Sequence, residues 1–185
     1  MAALIRFAML CALPLGALGA VKRATAAEFP LFGYGGMAIG GLPLYYLDGY
    51  AYLGDPKATN DAGAAVVTFT STDDNKWIAS PNITTTVNGT TPSWSNETLY
   101  IPASIASDKR VGFFSSNSTN SSEITTGFSF YGTTASLLTD DGQLQTLWTV
   151  SNETGKPRAL YWNDYSLGQV SVILRSIGPS NPPLM

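Results

Sequence analysis

The 185-residue chain has no histidine and one cysteine, Cys11. Without histidine there is no Ser-His-Asp triad, no Cys-His dyad and no histidine metal centre. Cys11 falls in an N-terminal segment read below as a leader. The chain after it therefore has no thiol nucleophile and no internal disulfide, unusual for a small secreted protein. Charge is scarce as well, at 12% of residues. Of ten basic residues, Arg6, Lys22 and Arg23 lie in the leader, so seven face thirteen acids. That balance argues against a nucleic-acid partner, which asks for a basic stripe, and against an anionic membrane surface. No apolar run reaches the ~20 residues of a membrane span. Gly33-Tyr34-Gly35-Gly36 has neither the preceding strand nor the following helix of a phosphate-binding loop. No cofactor and no metal are expected.

What is present starts with an address. Arg6 supplies a short positive region, Phe7 to Ala20 an apolar core broken by Pro14 and Gly16, and Ala24-Thr25-Ala26 a small-x-small cleavage site. Residues 1–26 read as a signal peptide, and 27–185 as one domain. Lys22-Arg23 offers a dibasic alternative, with cleavage after Ala20 and then after Arg23. The tail from Gly178 to Met185 carries no lipid-anchor signal. Six sequons follow the leader, at Asn82, Asn88, Asn96, Asn117, Asn120 and Asn152, five of them ending in Thr. Together they predict an extracellular, N-glycosylated protein with no membrane association after the leader is removed.

The rest reads as all-β. Leu44-Tyr-Tyr-Leu47 and Tyr50-Ala-Tyr-Leu53 flank Asp48-Gly49, the signature of a type I′ hairpin. The register pairs Leu47 with Tyr50 and Tyr45 with Tyr52, placing all four on one face. Strands are expected over 64–70, 76–79, 98–101, 110–114, 126–131, 134–138, 143–150, 159–162 and 169–175. Residues 29–41 read as irregular, and all six sequons fall in loops. About ten short strands with Gly, Pro and Asn turns and little or no helix predict an antiparallel β-sandwich, with a β-barrel as the alternative. Thr72-Asp-Asp and Thr139-Asp-Asp head similar stretches, through either an internal duplication or shared turn chemistry.

Carboxylates are the catalytic groups left. Asp48, Asp73, Asp74, Asp140 and Asp141 are explained by turns, and Glu97 and Glu153 sit inside sequons. Glu28, Glu123 and Asp164 have no such explanation, and no pair stands out, so no catalytic residue is assigned. The aromatics make the other candidate site. Tyr45, Tyr50 and Tyr52, with Trp94 and Trp162, could form a platform for sugar rings or could be core. The sugar-bearing loops 80–97, 115–122 and 151–157 would push a binding site elsewhere.

Lys22-Arg23, the Asn-x-Thr density, Gly41-Leu-Pro-Leu-Tyr45, Asp48-Gly-Tyr-Ala-Tyr-Leu-Gly54 and the stretch from Leu160-Tyr-Trp-Asn163 to Pro179-Ser-Asn-Pro-Pro183 resemble small secreted glycoproteins of filamentous fungi. The resemblance implies an extracellular or wall-associated setting and no particular catalytic residues. The expectation is a non-enzymatic structural or binding protein, associated with the cell wall and contacting polysaccharide or another extracellular protein. A carboxylate-dependent glycan-active enzyme and a secreted effector binding a host protein are the alternatives.

Overall fold

Asp48 and Gly49 adopt φ of 49° and 80°, the left-handed pair that a type I′ turn requires. The hairpin has the expected register, Leu47 opposite Tyr50 and Tyr45 opposite Tyr52. The computed structural model describes residues 27–36, 38–115, 121–153 and 156–180. The leader and the sequons at Asn117 and Asn120 lie outside the described residues.

Sixteen strands occur among those residues. They are β1 (Phe29–Pro30), β2 (Phe32–Tyr34), β3 (Leu42–Leu47), β4 (Tyr50–Leu53), β5 (Ala65–Ser71), β6 (Trp77–Pro81), β7 (Glu97–Pro102) and β8 (Gly112–Ser115). Then come β9 (Glu123–Ile124), β10 (Phe128–Tyr131), β11 (Thr134–Leu138), β12 (Leu144–Gln145), β13 (Trp148–Val150), β14 (Arg158–Trp162), β15 (Val170–Ser171) and β16 (Ile173–Arg175). Strand makes up 44% of the described residues, and among them no helix reaches seven residues. Four departures from the sequence reading concern short strands, two of them being the unexpected β9 and the split of the 169–175 strand into β15 and β16. The Gly-rich 29–41 stretch holds β1 and β2, because Phe29 pairs with Phe69 and Gly33 with Leu42. The expected 143–150 strand is split into β12 and β13, which pair with β11 and β14 respectively.

Six strands close on themselves in the order β3-β5-β6-β7-β8-β4, with β4 returning to β3. All the pairings are antiparallel. Closure leaves no free edge on these six. The remaining strands pack outside, β14-β13-β15 beyond β4 and β2-β16-β11-β10 beyond the start of β3, while β1, β9 and β12 pair with β5, β7 and β11 respectively. The fold is thus a closed barrel with added layers, within the sandwich-or-barrel class that the strand pattern predicts.

Alternation along each strand separates inside from outside. Leu44, Leu53, Val67, Phe69, Trp77, Leu99, Ile101 and Phe113 form one buried cluster. Phe69 and Phe113 come from strands that do not pair, yet their rings lie 6.3 Å apart across the interior. The cluster continues outward where Trp77 stacks on Phe128 at 5.3 Å and on Phe130 at 4.9 Å, joining the barrel to β10. At full burial such side chains each contribute roughly 1.5–3 kcal/mol.

The two Thr-Asp-Asp segments form the same turn. Thr72 N–H donates to Lys76 O at 3.0 Å, and Thr139 N–H to Gln143 O at 2.9 Å. In each, the threonine hydroxyl donates to an Asp carboxylate, Asp74 or Asp141. Each turn closes a hairpin, β5–β6 or β11–β12, but β6 pairs on its other side with β7, whereas β12 has no second partner among the described strands. Turn chemistry accounts for the likeness.

Candidate functional site

The outer wall of the barrel is where the hairpin tyrosines point, and they fare differently there. Tyr45 is fully buried, beneath Ala64, Val66 and Val87. The turn around Val87 and the stretch before β5 fold over it, which removes Tyr45 from any exposed platform. Burial pushes its phenol pKa up. Trp94 is also withdrawn from the surface. Its ring stacks on Tyr46 at 4.2 Å and its Nε1 donates to Gly63 O at 2.7 Å, so indole and N–H are both satisfied inside. Trp162 meets Trp148 edge-on at 4.7 Å and is 7% exposed. These three candidates are therefore corrected to core. Tyr50 and Tyr52 stay half-exposed.

The pairing of β7, β8 and β4 assembles a different set of groups around Tyr50. Gly112 lies opposite Tyr50 on one side and Tyr100 on the other. All three share the outward face, and the missing side chain lets the Tyr100 ring lie over the strand. A Cβ built at Gly112 would stand 2.6 Å from Tyr100 Oη and 2.7 Å from Gly49 O. Tyr100 also stacks on Phe114 at 5.5 Å. Its phenol is pushed up to about 12, chiefly by burial.

Arg110 sits over Tyr50, with its guanidinium carbon 3.7 Å from the ring centroid. Asp108 holds it there: Arg110 Nε donates to Oδ2 at 3.0 Å and Nη2 to Oδ2 at 2.7 Å. The Arg110 backbone N–H also donates to Asp108 Oδ1 at 2.9 Å. The Arg110 hydrogen bonds hold the Asp108 carboxyl below the usual carboxylate range, and Tyr50 adds to the effect. The loop beneath is tied down. Lys109 Nζ donates to the carbonyls of Ala103 and Ser104 at 3.1 and 2.8 Å, and Ala103 N–H to Ser122 O at 2.8 Å. Arg110 also bridges to Tyr161 of β14.

These groups line a cleft of about 280 Å³ together with Pro102, Ser107, Ser122 and Glu123. Tyr100, Asp108 and Arg110 were not singled out from the sequence. The signal was a lone glycine inside the 110–114 strand, which marks a close approach. Of the three unexplained carboxylates, Glu123 lines this cleft, whereas Glu28 lines a separate groove beside Asn82. Asp164 is a loop group, accepting from Ser166 N–H at 3.0 Å and Gln169 Nε2 at 3.0 Å. Ser122 ends the 115–122 stretch that carries two sequons, so the cleft lining includes one residue of a sequon loop rather than standing apart from all of them.

The four described sequon asparagines lie outside strands, with Asn88, Asn96 and Asn152 exposed and Asn82 half-buried. Among the described residues, no three His, Cys, Asp or Glu side chains gather in a metal-holding group. No protein-family model, no curated protein and no solved structure matches this chain.

Proposed function

We propose that this chain is a secreted, N-glycosylated, non-enzymatic protein of the cell wall that binds polysaccharide through the Tyr50–Arg110–Tyr100 wall. The observation that carries the reading is the Arg110 guanidinium, clamped by Asp108, with its carbon 3.7 Å from the Tyr50 ring centroid. A guanidinium has five N–H donors in a fixed plane, and the Asp108 clamp orients that plane before any ligand arrives. Preorganised donors save the ordering cost of binding. Sugars present what such a surface accepts, an apolar C–H face for an aromatic ring and hydroxyls for planar donors and carboxylates. Tyr52 and Tyr161 extend the half-exposed aromatic surface along β4 and β14.

The test is co-sedimentation of the secreted protein with insoluble wall polysaccharides, alongside a glycan array. Tyr50→Ala should abolish retention while shifting the melting point by no more than a few degrees. Undiminished retention would refute the assignment of the wall. A second reading rests on Asp108 and Glu123 lining one cleft. Two carboxylates can run glycoside hydrolysis, with one protonated as the acid. Asp108 is held ionised by Arg110, so Glu123 would have to be the acid. Release of reducing sugar that is lost in Glu123→Gln would favour this enzyme reading over simple binding.

A further inference from the structure

We propose that the groove formed by Thr68, Thr70, Ser80 and Asn82 is the seat of the first sugar of the N-glycan on Asn82 itself. The inference rests on the N-glycosylation reading above.

Asn82 is one wall of a groove of about 290 Å³, whose other walls include Thr68, Thr70, Ser80, Pro81 and Ile83. Thr68 pairs with Ser80 across β5 and β6, and Thr70 follows two positions on, so their side chains share the outer barrel face. The Asn82 amide is already oriented. Its Oδ1 accepts from Thr84 N–H at 3.1 Å and from Thr84 Oγ1 at 2.7 Å. That leaves Nδ2, the atom that carries a glycan, as the free end of a fixed amide. Ile83, 67% exposed, adds an apolar edge to the groove. A pyranose offers hydroxyls to the threonine and serine hydroxyls and a C–H face to the isoleucine.

Covalent attachment makes weak contacts sufficient. A tethered group meets its surface at an effective concentration of about millimolar or above, so contacts too weak for free sugar are populated. The two neighbouring sequons provide the internal comparison. Asn88 and Asn96 are exposed, at φ of 51° and 55°, and neither lines a described groove. Their glycans should extend into solvent.

The experiment follows enzymatic N-glycan release from the native protein in heavy-oxygen water. Each released site becomes an ¹⁸O-labelled aspartate, counted by peptide mass spectrometry. Release at Asn82 should be at least tenfold slower than at Asn88 and Asn96, and the difference should vanish after denaturation. Thr68→Ala/Thr70→Ala removes the seat without altering the sequon. It should bring release at Asn82 to within about threefold of Asn88. Equal native rates at all three sites would overturn the inference while leaving glycosylation intact. Slow release that persists in the double variant would overturn it too, by assigning the protection to the asparagine's own burial. Absence of any glycan at Asn82, Asn88 and Asn96 would overturn the glycosylation reading together with the inference.

Discussion

Gly112→Ala adds one methyl group, and the geometry around it says what that costs. The new Cβ would meet Tyr100 Oη at 2.6 Å, Gly49 O at 2.7 Å and Tyr100 Cζ at 2.8 Å. Neither obstacle yields easily. Gly49 O sits in the type I′ turn and accepts from Phe113 N–H at 2.8 Å, so moving it breaks a barrel hydrogen bond. Tyr100 is backed by Phe114 at 5.5 Å. Overpacking of this kind costs ~1–3 kcal/mol. At roughly 2–4 °C per kcal/mol for a chain of this size, the melting temperature should drop by about 2–12 °C. The assay is thermal unfolding of the purified protein by circular dichroism, with polysaccharide co-sedimentation on the same samples. Gly36→Ala serves as the baseline, because nothing lies within 4 Å of its Cβ position. Gly49→Ala isolates backbone strain, since its φ is 80° but its Cβ position is open. That strain is worth ~1–2 kcal/mol. Only Gly112→Ala should displace Tyr100, and so only it should lose polysaccharide retention beyond its effect on stability. A Gly112→Ala protein that melts within 1 °C of Gly36→Ala would refute the close-approach argument.

Other expectations concern the tyrosines and the clamp. Tyr45→Ala should cost roughly 3–5 kcal/mol, whereas Tyr45→Phe should be neutral or stabilising by up to ~1 kcal/mol. The buried Tyr45 hydroxyl has no hydrogen-bond partner among the described residues; chemical denaturation of both variants checks this. The Tyr100 phenol, raised to about 12 when folded, contributes stability that is whole below the free tyrosine value of ~10 and is lost as pH rises through about 12. Denaturation midpoints between pH 9 and 12 should therefore fall less steeply in Tyr100→Phe. Arg110→Lys keeps the charge but not the planar two-point clamp, so sugar retention should fall at least tenfold with stability changed by less than ~1 kcal/mol. Asp108→Asn should act in the same direction in a pull-down.

The hairpin was legible because its information is local. Asp48-Gly49 names a turn type, the turn type fixes the twist, and the twist fixes which residues face each other. The same alternation correctly put Tyr45, Leu47, Tyr50 and Tyr52 on one face. What covers that face was not legible. Tyr45 is buried by Val87, which comes from the sequon-rich stretch between β6 and β7, and Trp94 is drawn inward by Tyr46 and Gly63. A polar, Asn- and Thr-rich segment gives no sign that its few apolar residues act as lids. The cleft was hidden for a related reason. Tyr50 and Tyr100 are fifty positions apart and meet only through the register of β8 with both neighbours. Asp108 and Arg110 form a local pair, but their importance comes from the ring beneath them. β1 and β2 escaped notice because strands of two and three residues carry too little alternation to be read.

β2 and β16 pair with each other, Gly33 opposite Leu174, so this part of the sheet waits for residues nearly the whole described chain apart. During synthesis, β2 has no partner on that side until the chain has grown past Arg175. By then every sequon has been synthesised. The barrel itself needs no strand beyond β8, and its closure bears on Asn96, whose sequon ends in Thr98, a residue 4% exposed and paired with Ile78 and Phe114. Once β7 is zipped into the barrel, no enzyme can take hold of that threonine in an extended peptide. A glycan at Asn96 has to arrive while β7 is still free, which makes the occupancy of this site a clock for barrel closure. Variants that slow closure should raise the occupied fraction at Asn96, and variants that hasten it should lower it.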